Sequence, residues 1–189
     1  MPYQAVALLW FAFIFCWLAA ARSVKATRWR ESMASRISYS WPVLLFAITA
    51  LLLRATGVLP TVLTARFYPW SQLIGWFGVA VTAAGLGFSV WARIHLGRNW
   101  SGSVTVKEGH ELVRTGPYRR VRHPIYTGVI LGIAGTALAL DNWGVPVALV
   151  AVVLAFVRKL HLEEARMTET FPDYANYRRE TAALFPFIY

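Results

Sequence analysis

Residues 110–126 read His110-Glu111-Leu112-Val113-Arg114-Thr115-Gly116-Pro117-Tyr118-Arg119-Arg120-Val121-Arg122-His123-Pro124-Ile125-Tyr126. This is the most polar and most basic stretch of a very apolar chain. Hydrophobic residues make up 57% of the 189, and the mean hydropathy is +0.48, which points away from a soluble domain and towards the membrane. Long apolar runs flank the stretch on both sides, so it sits where membrane meets water. His110, Tyr118, Arg122, His123 and Tyr126 are placed to converge on one small polar molecule. The net charge of +10 would suggest nucleic acid in a soluble protein. Here Lys and Arg border the apolar runs, which fits contact with anionic headgroups and a fixed topology, with no nucleic-acid partner.

A membrane-crossing helix needs about 20 apolar residues. Five runs are assigned on that basis, about 3–21, 41–57, 71–95, 125–140 and 145–160, the fourth somewhat short. The expected fold is an all-α integral membrane protein of one domain, with five transmembrane helices, a polar loop before the fourth and an amphipathic helix at the C-terminus. The first run lacks a preceding basic stretch and a small-residue cleavage site, so it reads as an anchor. Residues 22–36 are basic, with Val24, Trp29, Met33 and Ile37 near helical spacing; an interfacial helix and a solvated loop are both open. Pro42 suits the first turn of the second span, and Arg54 near its far end can snorkel to the headgroups.

Residues 58–70, with Pro60 and Pro69, read as a loop. Gly75, Gly78, Gly85 and Gly87 in the third span let helices approach closely. Gly128, Gly132 and Gly135 can serve packing within or between chains, so oligomeric state is open. Asp141-Asn142-Trp143-Gly144 is a tight turn that makes spans four and five a hairpin. Residues 161–177 continue as a polar, amphipathic helix with a break at Pro172, and the tail from Leu184 to Tyr189 should touch membrane or core. Cys16 is the sole cysteine, so no disulfide framework exists.

Seventeen of the nineteen Lys and Arg lie in 22–36, 93–122 and 158–179. Five spans put all three groups on one side, which the positive-inside rule makes cytoplasmic. The N-terminus is then outside, the C-terminus inside, and residues 110–126 share a face with 158–179. In a bacterium the membrane would be the inner one.

Two constellations could carry chemistry. Pro124 presets the first turn of span four, whose N-terminus favours a carboxylate or phosphate, with His123 and Tyr126 facing that spot. An interfacial cap of Arg, His and Tyr explains the same residues. Lys159 and Glu163 share a helix face, and the pair Glu163-Glu164 next to apolar lipid needs partners. A solvated, salt-bridged helix start is the plain alternative. The Gly116-Pro117 turn could fold His110 back towards His123. His95, His110, His123 and His161 form no ligand spacing, so no metal is expected; dinucleotide, phosphate-loop and serine-nucleophile motifs do not occur.

The ordered set of motifs resembles one family. It comprises Trp91-Ala92-Arg93, Leu96-Gly97-Arg98-Asn99-Trp100-Ser101, His110 to Val113, Gly116-Pro117-Tyr118 and Arg122-His123-Pro124-Ile125-Tyr126-Thr127-Gly128. Glu163-Glu164, Phe171, Tyr174, Tyr177 and Pro186-Phe187-Ile188 follow. The family is the isoprenylcysteine carboxyl methyltransferases, with the small phospholipid N-methyltransferases as relatives. The resemblance covers roughly the last hundred residues; residues 1–90 match only as apolar spans.

What it implies is methyl transfer from S-adenosylmethionine to a lipophilic or lipidated acceptor, and a cytoplasmic cofactor-binding site from 97–126 and 158–180. It assigns cofactor contacts to His110, Glu111, Leu112, Val113, Tyr118, His123, Pro124, Ile125, Tyr126 and Glu163. A basic residue meets the acceptor carboxylate at the position of Lys159, where the eukaryotic enzymes have Arg, and Arg158 beside it could substitute. Phe171-Pro172-Asp173-Tyr174 departs from the family's Phe-Gly and one residue before Tyr. A carboxylate acceptor needs no general base; an amine acceptor would need one, and Glu164 is nearest. A nicotinamide-dependent membrane reductase of the steroid-reductase type, and a non-catalytic binder of anionic membrane lipids, are the alternatives from other classes.

Overall fold

Pro2–Ala20 forms α1, an apolar helix whose outward side chains, Leu8, Phe11, Phe15 and Leu18 among them, are mostly exposed. Such a surface is stable in lipid. The computed structural model describes residues 1–20, 24–55 and 61–186. Arg22, the Arg54 side chain, Pro60 and the tail residues 187–189, for which the sequence raised expectations, lie outside the described residues.

The basic segment after α1 is neither interfacial helix nor plain loop. Thr27–Arg30 is a strand, β1, antiparallel to β2, Thr105–Lys107. Flanking bonds extend the pairing, from Glu108 N–H to the Ala26 carbonyl (3.0 Å) and from Glu31 N–H to the Val104 carbonyl (3.1 Å). The fold is therefore helical with one short ribbon, and not strictly all-α. Neither segment offers a sustained apolar face, so each satisfies its backbone on the other.

α2 spans Met33–Ala55 and begins well before the expected start near 41, so Pro42 lies inside the helix and not in its first turn. The Ser32 hydroxyl accepts the Ser35 N–H at 3.2 Å, a cap that starts the helix early despite the loss of one rung at Pro42. Within the expected 58–70 loop, Thr61–Thr64 makes a single turn, α3. α4 runs Gln72–Leu96, capped by Ser71, and α5 runs Pro124–Leu140 with Pro124 in its first turn. Asp141 turns the chain in the left-handed region at φ 48° and takes the N–H groups of Phe67 and Tyr68 on its carboxylate. α6 is one helix from Gly144 to Thr170; it carries the expected fifth span and its polar continuation without interruption. It stops before Pro172, and α7, Tyr174–Glu180, follows.

α1, α4 and α6 are long and apolar enough to cross a bilayer, which makes this an integral membrane protein. α4 and α5 form the tightest pair. A Cβ on Gly85 would come within 2.5 Å of the Gly132 nitrogen, and one on Gly128 within 2.5 Å of the Gly85 carbonyl oxygen. The two backbones thus touch, so the glycine series packs within the chain. α1 lies against α4 and α5, and α6 against α5 and α2. The C-terminal ends of α1, α4 and α6 and the N-terminal ends of α2 and α5 gather at one end of the bundle. Arg93 ties two of them by donating to the Ala20 carbonyl at 2.7 Å.

Candidate active site

At that end the polar loops close over the bundle. Residues 116–119 form a 3-10 turn that buries Pro117 and Tyr118. Gly116 starts it at φ 57°, and a Cβ there would strike the His95 ring. Tyr118 donates to the Ala92 carbonyl at 3.4 Å and accepts, through its own carbonyl, the Tyr177 hydroxyl at 2.6 Å. The chain after α7 then returns beneath α5. Arg122 and His123 N–H bond to the Ala182 and Ala183 carbonyls, and the Thr127 hydroxyl bonds to the Leu184 carbonyl. The start of α5 is thereby clamped between the C-terminal tail and α6.

On α6 the neighbours Glu163 and Glu164 turn to different tasks. Glu164 is buried, with a side chain 4% exposed. Arg122 donates to it at 2.6 Å, Arg178 lies at 3.2 Å, and the His123 Nε2 at 3.3 Å. Glu163 is 21% exposed and accepts the Tyr126 hydroxyl at 2.8 Å, with His123 Nδ1 at 3.4 Å and the Lys159 ammonium at 3.7 Å. His123 thus bridges both carboxylates, and its ring stacks on Tyr126. Burial alone would push its pKa down; the hydrogen bonds and charges of the two carboxylates outweigh that and hold it above the ordinary histidine value.

A cavity of about 410 Å³ opens between α1, α5, α6 and residues 99–113. That is within the range of small-molecule sites. Its inner end is apolar, walled by Phe13 and Trp17 of α1, Val129 of α5 and Phe156 of α6. Its outer end carries Glu163, Lys159, His123, Tyr126, Tyr118 and His110. Lys159 is 9% exposed and donates to the Gly102 carbonyl at 2.8 Å. His110 meets Phe171 edge-on and is held neutral near pH 7, first by burial and then by the charges of Lys25 and Lys107, which lower its pKa.

The structure brings together nine of the ten residues that the sequence assigned to the cofactor: Glu111, Leu112, Val113 and Ile125 join those just named on the cavity wall, while Pro124 is buried behind it. Of the three assigned to chemistry, only Lys159 lines the cavity. Arg158 is exposed and does not line it. Glu164 is committed to Arg122, Arg178 and His123, so it offers no free oxygen there as a base. His123, expected to meet a ligand carboxylate, has both ring nitrogens engaged by Glu163 and Glu164. Phe13 and Trp17 were missed, because an aromatic pair four residues apart in an apolar span looks like lipid-facing surface. Tyr174, Tyr177 and Met167 also line the site; the two tyrosines sit in motifs already quoted, and that was the available signal.

The donor set suits a cationic nucleoside derivative that also carries an amino-acid group. Glu163 offers negative charge within the cavity, the aromatic rings of Tyr118, Tyr126 and Trp100 offer flat faces, and Lys159, beside Glu163, offers an ammonium for a second, anionic molecule.

Residues 77–169 match the model of the isoprenylcysteine carboxyl methyltransferase family. A cobalt-zinc-cadmium resistance protein of Cupriavidus metallidurans is 29% identical over 119 residues, 62% of this chain and 50% of that protein. The protein-S-isoprenylcysteine O-methyltransferase of Schizosaccharomyces pombe is 34% identical over 102 residues, 51% of this chain and 43% of that one. Among solved structures, a eukaryotic intramembrane Ras methyltransferase of the isoprenylcysteine carboxyl type shares the fold. The match has a TM-score of 0.57 at 22% identity and covers 84% of this chain and 54% of that one. The chain spans about half the length of the curated relatives it matches first.

Proposed function

We propose that this chain, whose residues 77–169 match the isoprenylcysteine carboxyl methyltransferase family model, is a methyltransferase of that type and transfers a methyl group from S-adenosylmethionine to the carboxylate of a lipophilic acceptor. The observation that carries the proposal is the two-ended cavity, apolar at Phe13, Trp17, Val129 and Phe156 and charged at Glu163 and Lys159. A ligand pair of one tailed and one water-soluble molecule needs such a space.

When bound, S-adenosylmethionine supplies an electrophilic methyl group on a sulfonium. Glu163, fixed by the Tyr126 hydroxyl and by His123, would hold its positive charge; His110 to Val113, Tyr118, Ile125 and Tyr126 would enclose the rest. Lys159 would hold the acceptor carboxylate by a charge-assisted hydrogen bond. A carboxylate is already the nucleophile at neutral pH, so the chain need only align it and exclude water. The engagement of Glu164 with Arg122, Arg178 and His123 favours a carboxylate over an amine acceptor, because an amine would need a proton acceptor in the cavity.

In the same reading α2 and α5 are further crossings, five in all, and the positive-inside rule favours a site at the cytoplasmic face. α5 has 17 residues. At about 1.5 Å per residue it makes a short crossing. The test is transfer of a labelled methyl group by the purified protein to N-acetyl-S-farnesylcysteine, with tailless N-acetylcysteine as control. Base-labile label on the farnesylated acceptor alone supports the proposal. A folded protein that labels neither that acceptor nor any lipophilic acid of its own membrane contradicts it.

A further inference from the structure

On the far side of residues 100–103 from the main cavity lies a second, more open cleft of about 550 Å³. Arg30, Arg36 and Lys107 line it, together with Tyr39, Ser101 and Ser103, and among the described residues no acidic side chain does. Lys107 is 5% exposed. Its ammonium donates to the Thr27 hydroxyl at 3.0 Å and, among the described residues, has no carboxylate within ion-pair distance. A cation so deeply buried is costly without a counter-charge. Burial, then the charge of Arg30, holds the Lys107 ammonium below the ordinary lysine value. The Arg36 guanidinium donates to the Ser103 hydroxyl at 3.3 Å, while its Nε is buried with no hydrogen-bond partner. Glu31 pairs with Arg36, 3.9 Å from that Nε, and with one negative charge leaves two of the three cations uncompensated. It already accepts the hydroxyls of Ser35 and Tyr39 and the N–H of Val104.

We propose that this cleft is a second ligand site, one that holds a phosphate group, with Lys107 and Arg36 at its wall and exposed Arg30 at its mouth. Three cations and two serine hydroxyls match a tetrahedral anion with several oxygens and more than one negative charge, where a single carboxylate would leave donors unused. The cleft lies at the end of the bundle where the polar loops gather, the depth of lipid phosphates. The group can therefore belong to a headgroup or to a soluble molecule. Gly102 borders both spaces, and its carbonyl takes the Lys159 ammonium from the other side. A phosphate in the cleft would thus sit against the wall that Lys159 grips. The site stands whether or not the main cavity performs methyl transfer.

The experiment titrates the full-length protein, in a nonionic detergent, with dihexanoyl phosphatidic acid and separately with inorganic phosphate; dihexanoylglycerol is the tail-only control. The expected result is saturable binding of the phosphatidic acid and none of the diacylglycerol. Lys107→Gln and Arg36→Gln each weaken binding about tenfold or more, as loss of a charged hydrogen bond does. Arg30→Gln, a surface change that cannot upset folding, weakens it about threefold, and Arg179→Gln, on α7, leaves it unchanged. If inorganic phosphate binds and displaces the lipid, the ligand is a soluble phosphate; if it does not, the ligand is a headgroup. Both outcomes support the site. Absence of saturable binding by either probe, or parental affinity in both Arg30→Gln and Lys107→Gln, overturns it.

Discussion

Glu163 and Glu164 are chemically identical neighbours, and a difference of about 100° around α6 separates their roles. Glu164 closes a buried ion cluster with Arg122, Arg178 and His123. Breaking a buried pair leaves an uncompensated charge. Arg122→Met should therefore cost about 3 kcal/mol, the low end of the range for such a loss, because Arg178 and His123 remain as partners. Chemical denaturation in detergent measures it. His123 adds a pH dependence. Its pKa in the folded chain is raised by the two carboxylates. Its contribution is thus complete below about pH 6.5, the unfolded value, and is lost as pH rises through the folded value. Thermal melts between pH 6 and 9 should show a fall in the melting temperature of the parent that His123→Gln reduces; equal slopes would remove His123 from the cluster. Lys159 faces the cavity, and Lys159→Met should lower kcat/KM for the acceptor by about 10- to 100-fold, the worth of a charged hydrogen bond. Affinity for S-adenosylhomocysteine should change much less. At this scale the sequence made Glu163, His123, Tyr126 and Lys159 legible as a group, through their place at two helix ends on one face. The family resemblance separated Glu163 from Glu164, but spacing alone did not, because the division depends on Arg122 and Arg178 claiming Glu164.

Helices α4 and α5 show how small residues become structure. Gly78, Gly85, Gly128 and Gly135 each lie where a Cβ would meet facing backbone, whereas Gly87 has nothing within 4 Å. Gly85→Val should destabilise by about 1–3 kcal/mol, the cost of overpacking a close interface. Gly87→Ala should be neutral or stabilising by up to about 1 kcal/mol, because alanine is the better helix former. Melting temperatures of the two variants in one detergent make the comparison. The apolar runs predicted α1, α4 and α5 almost to the residue, since hydropathy alone defines them. Three features escaped. The β1–β2 ribbon pairs segments nearly eighty residues apart, and no local period announces such a partner. α2 begins early because the Ser32 cap and the serines after it let the helix run through Pro42. α6 passes from apolar to charged without a break, so its change of composition does not mark the end of an element.

Taken whole, the molecule is a bundle with its polar chemistry gathered at one end. That asymmetry predicts a fixed orientation. In intact cells, with Cys16 replaced by Ser, a cysteine at exposed Arg119 should resist a membrane-impermeant maleimide, and one at exposed Arg66 should react. The reverse pattern would invert the topology. The same asymmetry joins an apolar, aromatic pocket to a charged mouth, so in the proposed methyl transfer the two ligands can arrive from different phases. The most direct measurement is calorimetric titration of the purified protein with S-adenosylhomocysteine, beside Glu163→Gln. One saturable site in the parent, weakened about tenfold or more in the variant, is the predicted result. A folded parent that releases no heat, or a variant that binds as the parent does, would contradict the assignment of the cavity.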